Sequence, residues 1–191
     1  MALSDLLTSM RRDPAFMANI ATWRTLPAQN PQTAPIPDTL HPLLHAGLSD
    51  RGIPLLYTHQ AEAVEHAQRG ESLCVITPTA SGKTLAYQLP ILDALIRDEE
   101  ARALYLFPTK ALAQDQMAGL RQWSSELSAG GVSLRAATYD GDTPSADRTR
   151  VRNEARIILT NPDMLHVGIL PSHPQWMRFF AGLRYVVLDE L

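Results

Sequence analysis

The 191-residue sequence predicts an α/β domain, a parallel β-sheet with helices on both faces. From residue 58 onward, apolar segments of strand length alternate with segments of helical periodicity, which is typical of parallel sheets. A loop of small residues at 77–84 joins one predicted strand to a predicted helix. With 45% hydrophobic residues, the chain has enough apolar surface for one sizeable core.

The first 56 residues predict an N-terminal extension with a proline-rich connector, and residues 57–191 predict the compact lobe. Two short helical patches occur near residues 3–10 and 16–23. Prolines then punctuate residues 27–56, at Pro27, Pro31, Pro35, Pro37 and Pro42. Because proline fixes φ and removes a backbone donor, this stretch predicts mainly extended chain rather than a long helix.

Helices and strands alternate in the predicted lobe. Helical periodicity marks residues 58–69, 83–97, 110–127, 144–153, 162–168 and 175–181, and Gly70 closes the first of these helices. Apolar runs of strand length mark residues 73–77, 102–107, 133–138, 155–160 and 184–189. Cys74 lies in the first of these strands, where a buried thiol is expected.

The loop T77-P-T-A-S-G-K-T84 has the spacing of a polyphosphate cradle. In such a loop, backbone N–H groups wrap the phosphates, a lysine neutralises them, and a hydroxyl ligates Mg²⁺. Lys83 and Thr84 are the predicted lysine and hydroxyl, and Lys83 is also a predicted catalytic residue. The predicted wrapping residues are Thr79, Ala80, Ser81 and Gly82. The alternative, an ordinary turn, is disfavoured by the strand and helix patterns on either side.

The scarcity of lysine supports these roles. Lys83 and Lys110 are the two lysines among 17 basic residues, and each follows a predicted strand. A compact ammonium fits between phosphates better than a planar guanidinium, although biased residue usage also explains the pattern.

The segment Y185-V-V-L-D-E-L191 is an apolar strand pattern followed by two carboxylates. Such a pair places one carboxylate near Mg²⁺ and a second near the water that attacks the γ-phosphate. Asp189 is therefore the predicted metal residue, and Glu190 is the predicted catalytic residue that orients or deprotonates water. An acidic pair at a surface turn is the alternative, and the phosphate loop favours the catalytic interpretation.

Two residues before the loop are candidates for recognising adenine. The Gln60 amide is suited to a bidentate pair with N6 and N7, which selects ATP over GTP. Tyr57 offers a ring for stacking on the base. An exposed glutamine in a first helical turn and a core tyrosine are the competing interpretations.

Three further strand ends share one design, F107-P-T-K110, D140-G-D-T-P144 and T160-N-P-D163. The carboxyl ends of parallel strands share one sheet edge, so the helix N-termini that follow form a row of anion sites. Such a row is suited to gripping successive phosphates of a nucleic-acid strand. The predicted nucleic-acid residues are Thr109, Lys110, Gly141, Thr143, Thr160, Asn161 and Asp163. Plain helix capping by Thr109, Thr143 and Asn161 is the alternative.

Bulk composition restricts the classes that fit. A formal net charge of −3 argues against a general electrostatic nucleic-acid binder, so such contacts must be local. The single cysteine excludes a disulfide within the chain. No apolar run approaches ~18 residues and the start lacks a secretory pattern, so a cytoplasmic location without a membrane partner is expected.

The ordered motifs resemble those of superfamily two DEAD/DEAH-like helicases, in the first RecA-like lobe. They are YTHQ, TPTASGKT, PTKALAQDQ, TYDGDTP, TNPDML and LRYVVLDEL, and their wording is similar to the MrfA-type mitomycin-repair DNA helicase branch. The resemblance covers residues 55–191 and implies ATP and Mg²⁺ as cofactors. It also implies DNA as the nucleic acid, single-stranded where it is gripped, and a role in DNA repair.

The resemblance further implies that the chain stops after motif II and lacks the second RecA-like lobe. Because that lobe supplies arginine fingers, typically worth ~10³–10⁵ in rate, the fragment is expected to bind ATP and nucleic acid weakly with little hydrolysis. The enzyme activity, an ATP-dependent helicase, then belongs to the parent protein. A noncatalytic recruitment module that binds nucleotide or nucleic acid is the competing class.

Overall fold

The computed structural model describes residues 2–27, 30–78 and 81–190, and the chain divides into two compact units, residues 1–31 and 32–191. The smaller unit contains helices α1 (Leu3–Arg12) and α2 (Pro14–Met17). Asp13 caps α2, because its carboxylate accepts hydrogen bonds from the backbone N–H groups of Ala15 and Phe16. Pro14 follows in the first helical position, where its missing N–H breaks no helical hydrogen bond.

The larger unit is built on a four-stranded parallel sheet and a short antiparallel pair. The strands are β1 (Thr33–Ala34), β2 (Leu56–Tyr57), β3 (Arg102–Leu106), β4 (Ala136–Thr138), β5 (Ile157–Thr160) and β6 (Leu183–Leu188). The helices are α3 (Pro42–Asp50), α4 (Thr58–Gln68), α5 (Lys83–Arg97), α6 (Lys110–Ala129), α7 (Ser145–Glu154), α8 (Pro162–Met164) and α9 (Met177–Ala181). A π-helical turn (Leu165–Ile169) and a 3₁₀ segment (Leu170–Trp176) join α8 to α9. The sheet order is β4, β5, β3, β6.

Strand β3 shows that the sheet is covered on both faces. All five of its residues are buried. Ala103 and Tyr105 pack into a core cluster with α3, α5 and α6, whereas Leu104 and Leu106 pack into a second cluster around Trp176. Because successive side chains of a strand point to opposite faces, each face has its own core. The predicted fold class is confirmed.

The segment 32–56 is not the extended connector that its prolines predict. It contains α3 and the strands β1 and β2, and Leu44, Leu48 and Leu56 are each 0% exposed. Pro42 occupies the first position of α3, where it is compatible with a helix. The compact unit therefore begins at Gln32 rather than at residue 57.

This packing predicts a large stability effect at Leu44. Leu44→Ala is expected to lower the free energy of unfolding by about 2–5 kcal/mol, because it leaves a cavity in the core. Leu55→Ala is the matched control, since Leu55 is 50% exposed and should change that free energy by less than about 0.5 kcal/mol. Chemical denaturation measures both variants. Equal, small losses would show that α3 does not belong to the core.

The strand predicted at residues 73–77 is not formed. Within the described part of the chain, no strand pairs with this segment, and Leu73 and Ile76 are 43% and 90% exposed. Cys74 is exposed as well, so its predicted burial is wrong. The apolar run has β propensity, but a strand also needs a hydrogen-bonded neighbour, and neither β3 nor β6 supplies one here.

The helix predicted at 162–168 is also modified. Regular α-helix ends at Met164 and a π-helical turn follows.

Among the residues described, no helix is long and apolar enough to cross a membrane.

Candidate nucleotide site

The register of the parallel sheet brings the ends of three strands together. Leu106 of β3 is paired with Thr160 of β5 on one side and Leu188 of β6 on the other. The backbone N–H of Asp189 donates to the Leu106 carbonyl at 3.1 Å, which extends the pairing one step beyond β6. Residues that follow these strands therefore lie along one sheet edge, as the sequence predicts.

Gly82 marks the start of α5 and is required there by conformation and by space. Its φ of 77° and ψ of 26° lie in the left-handed region. A Cβ at this position would lie 2.6 Å from the Gln60 Nε2 atom and 3.4 Å from the Tyr57 ring. The glycine thus lets the loop turn into the helix while the two predicted adenine residues pack against it.

The Gln60 amide is already committed within the protein. Its Nε2 donates to the Gly82 carbonyl at 2.7 Å, and its Oε1 accepts from the Tyr57 backbone N–H at 2.9 Å. The side chain is buried, whereas Tyr57 is 40% exposed and stacks on His59. Gln60 therefore links the predicted adenine segment to the phosphate loop, and its pairing with adenine stays a prediction.

The Lys83 side chain makes a hydrogen bond to the first residue of the phosphate loop. Its ammonium donates to the Thr77 carbonyl at 3.3 Å, and the Thr77 and Ser81 hydroxyls hydrogen-bond to each other. The predicted wrapping residues Thr79 and Ala80 lie outside the described residues.

One cavity of about 310 Å³ joins the phosphate loop to the acidic pair. It is lined by Ser81, Gly82, Lys83, Thr84, Phe107, Leu112, Gln116, Asp189 and Glu190. Phe107, Leu112 and Gln116 were not predicted from the sequence. Gln116 is held by Gln88, whose Nε2 donates to it at 3.5 Å, and this contact between two helices has no sequence motif to mark it.

The oxygen donors in this cavity fit Mg²⁺. Thr84 offers a hydroxyl and Asp189 a carboxylate, the ligand types that Mg²⁺ prefers. No group of three or more His, Cys, Asp or Glu residues suited to holding a metal occurs in the described ranges. A metal here would take its remaining ligands from water and phosphate, which is the usual arrangement for Mg²⁺ at nucleotides.

An ion pair joins the two segments that follow β3 and β4, where four of the predicted nucleic-acid residues lie. Lys110 binds Asp142, and this contact raises the pKa of the lysine. Thr109 caps α6 by accepting from the Leu112 N–H at 3.3 Å. Thr143 does not cap α7: its hydroxyl accepts from the Asp140 N–H, and Pro144 is the cap residue.

The other predicted residues of this group differ in exposure. A Cβ added to Gly141 would meet no atom of the described residues within 4 Å, so the loop has space there. Thr160 is buried, and its hydroxyl donates to the Tyr139 carbonyl at 2.6 Å. Asn161 caps α8 by accepting from the Met164 N–H at 2.7 Å, and Asp163 is exposed. Capping thus accounts for Thr109 and Asn161, and contact with nucleic acid stays a prediction.

A phosphate loop before a helix and an acidic pair after a parallel strand, meeting at one cavity, define a P-loop nucleotide-binding α/β domain. Residues 57–191 match the profile of the DEAD/DEAH box helicase family, and the chain belongs to that family. The region corresponds to the first RecA-like lobe, so the resemblance stated from the motifs is confirmed.

Relatives and solved structures agree with this assignment. The chain is 47% identical over 185 residues to the ATP-dependent helicase YprA of Bacillus subtilis, covering 97% of this chain and 24% of that protein. It is 36% identical over 192 residues to the ATP-dependent helicase HRQ1 of Saccharomyces cerevisiae, covering 99% of this chain and 17% of that protein. The crystal structure of the DUF1998 helicase MrfA bound to DNA and AMPPNP superposes with a TM-score of 0.87 at 45% identity, covering 100% and 26% of the two chains. The chain thus spans about a quarter or less of these proteins.

Proposed function

We propose that this chain is the ATP-binding first lobe of an ATP-dependent DNA helicase or translocase. The observation that carries the proposal is the single cavity shared by Lys83, Thr84, Asp189 and Glu190. In this site, Lys83 neutralises the phosphates, Thr84 and Asp189 hold Mg²⁺ directly or through water, and Glu190 orients or deprotonates the attacking water. Calorimetric titration of the chain with Mg–ATP tests the proposal: one saturable site supports it, and no binding refutes it.

The base of ATP is assigned to the segment before the loop. Gln60 and Tyr57 adjoin Gly82, so a nucleotide with its phosphates in the loop places its base beside them. Pairing of the Gln60 amide with adenine requires a rearrangement of its hydrogen bonds to Gly82 and Tyr57. If the Gln60 amide pairs with adenine, the Gln60→Ala variant should no longer distinguish ATP from GTP.

DNA is the nucleic acid that the relatives favour. MrfA is a helicase whose structure contains DNA, and it shares 45% of its residues with this chain over the aligned region. The sheet edge offers Lys110, Gly141 and Asp163 as exposed contacts, with a single strand as the proposed occupant. DNA repair is the proposed process, and a cytoplasmic setting without a membrane partner is part of the same proposal.

Hydrolysis is proposed for the whole protein rather than for this lobe alone. The relatives are at least about four times longer than the matched region, since the chain covers 24% of YprA. A second RecA-like lobe is the proposed partner that completes the site with an arginine finger. The lobe alone is then a weak binder with little turnover.

A recruitment module that only binds ATP or DNA is the second candidate. It is favoured if replacement of Glu190 has no effect on turnover in the whole protein.

The ion pair at the sheet edge gives a charge-resolved test of DNA binding. Lys110→Ala is expected to weaken binding of single-stranded DNA and to reduce the slope of log K against log [salt] by about 0.7, the value for one phosphate contact on a single strand. Asp142→Asn should act in the opposite direction, because it frees the ammonium from its carboxylate partner. Fluorescence anisotropy at several salt concentrations measures both.

Arg184→Ala serves as the control for loss of a positive charge. Arg184 is exposed, pairs with Asp98 and lies at the amino end of β6, at the sheet edge opposite to the proposed contacts. If Lys110→Ala and Arg184→Ala change the salt slope equally, binding of the strand does not depend on Lys110.

A further inference from the structure

Tyr87 makes a long-range hydrogen bond to the acidic pair. Its hydroxyl donates to the Asp189 Oδ2 atom at 3.0 Å, across 102 positions in the sequence. Tyr87 lies on α5 three residues after Thr84, and residues at that spacing share one helical face. The tyrosine therefore contacts one group assigned to Mg²⁺, Asp189, and shares a helical face with the other, Thr84.

The ring of Tyr87 is fixed by the core. It packs edge-on against Tyr105 of β3, with ring centroids 5.5 Å apart and planes at 87°. Tyr105 is fully buried, and Tyr87 itself packs against the cluster that joins α5 to the sheet. Because two torsions define a tyrosine side chain, this packing fixes the position of the hydroxyl before any ligand arrives.

The Asp189 carboxylate depends on this contact. Among the described residues, the Tyr87 hydroxyl is its hydrogen-bond donor, and no Lys or Arg lies within salt-bridge distance of it. Lys83, the cation of the cavity, is directed instead to the Thr77 carbonyl. A tyrosine hydroxyl ordinarily loses its proton only at about pH 10, so the Tyr87 hydroxyl is a donor at neutral pH.

We propose that Tyr87 is a positioning residue that holds the Asp189 carboxylate ready for Mg²⁺ in the nucleotide site. This inference rests on the proposed function, and it adds a residue that the motif pattern does not contain. Donors that orient a metal-binding carboxylate typically contribute 10–100-fold to metal affinity.

The test compares nucleotide binding with and without metal in the full chain. Calorimetry or a fluorescent ATP analogue gives the affinity in EDTA and at a series of Mg²⁺ concentrations. For Tyr87→Phe, the Mg²⁺ concentration at half-effect should rise by about 10-fold. The affinity in EDTA should remain unchanged. Electron paramagnetic resonance of Mn²⁺ with ATP provides a direct count of bound metal.

Two variants separate positioning from a structural role. Tyr105→Phe removes a neighbouring hydroxyl that has no hydrogen-bond partner within the described ranges, so it should leave the Mg²⁺ dependence unchanged. In an Asp189→Asn background, Tyr87→Phe should have no additional effect on metal dependence, since the group it positions has lost its charge.

The outcomes are distinct. A wild-type chain that does not bind Mg–ATP overturns the proposed function and this inference with it. Normal wild-type binding with an unchanged Mg²⁺ midpoint in Tyr87→Phe overturns this inference alone. An equal loss of affinity in EDTA and in Mg²⁺ also overturns it, because a loss independent of metal reflects the fold of the site.

Discussion

Lys83→Ala should abolish measurable ATP binding, with an affinity at least ~100-fold weaker than that of the wild-type chain. Hydrogen bonds to charged groups contribute about 1.5–3 kcal/mol each, and the ammonium makes more than one to a triphosphate in loops of this type. Among the residues that line the cavity, Lys83 is the cation, and Asp189 and Glu190 contribute two carboxylates to the same cavity. Without it, the phosphates would meet two negative charges alone. Calorimetry with Mg–ATP measures the change.

The control for this prediction is the other lysine of the chain. Lys110 lies at the sheet edge, does not line the nucleotide cavity, and pairs with Asp142. Lys110→Ala should therefore retain wild-type ATP affinity. Retained affinity in Lys83→Ala, with the protein folded, would place the nucleotide elsewhere.

Glu190→Gln should separate binding from turnover in the whole protein that contains this lobe. The substitution keeps the shape of the side chain but removes the base, and general base catalysis typically contributes 10²–10⁴-fold to rate. ATP affinity should not fall, because the substitution removes a negative charge near the phosphates and not a group that attracts them. Steady-state ATPase assays and nucleotide titration measure the two quantities.

Glu65→Gln is the matched control, an exposed glutamate of α4 that does not line the cavity. Its turnover should equal that of the wild type. If Glu190→Gln also turned over ATP at the wild-type rate, the motor interpretation would fail and the recruitment module would be favoured.

Sequence reasoning succeeded where the determinants are local. Helix α5 begins and ends at the predicted residues, Lys83 and Arg97, because a left-handed glycine precedes it and its apolar face has helical spacing. The buried strand β3 was predicted from a continuous apolar run between polar segments. The common sheet edge followed from the rule that parallel strands end together.

Sequence reasoning failed where the structure of a segment depends on its contacts with residues distant in the sequence. Residues 73–77 have the composition of a strand, yet the described chain gives them no neighbour to pair with. Conversely, the prolines of 27–56 predict extended chain, yet a helix starts at Pro42. Burial of its Leu44 and Leu48 side chains stabilises this helix. Composition alone does not contain these tertiary contributions.

The candidate site shows the same division. Lys83, Thr84, Asp189 and Glu190 belong to motifs, and the fold places them around one cavity. Tyr87 was not selected, because its role depends on a contact made across the whole domain. The available signal was its position, three residues after Thr84 on the same face of the helix.

Hydrogen–deuterium exchange of the full chain, with and without Mg–ATP, tests the central claim most directly. The claim is that one nucleotide contacts the start of α5 and the end of β6 together. Amides in residues 81–88 and in residues 186–190 should both exchange more slowly with Mg–ATP, whereas residues 136–144 should be unchanged. Protection of the first segment without the second, or of neither, would contradict a shared Mg–ATP site.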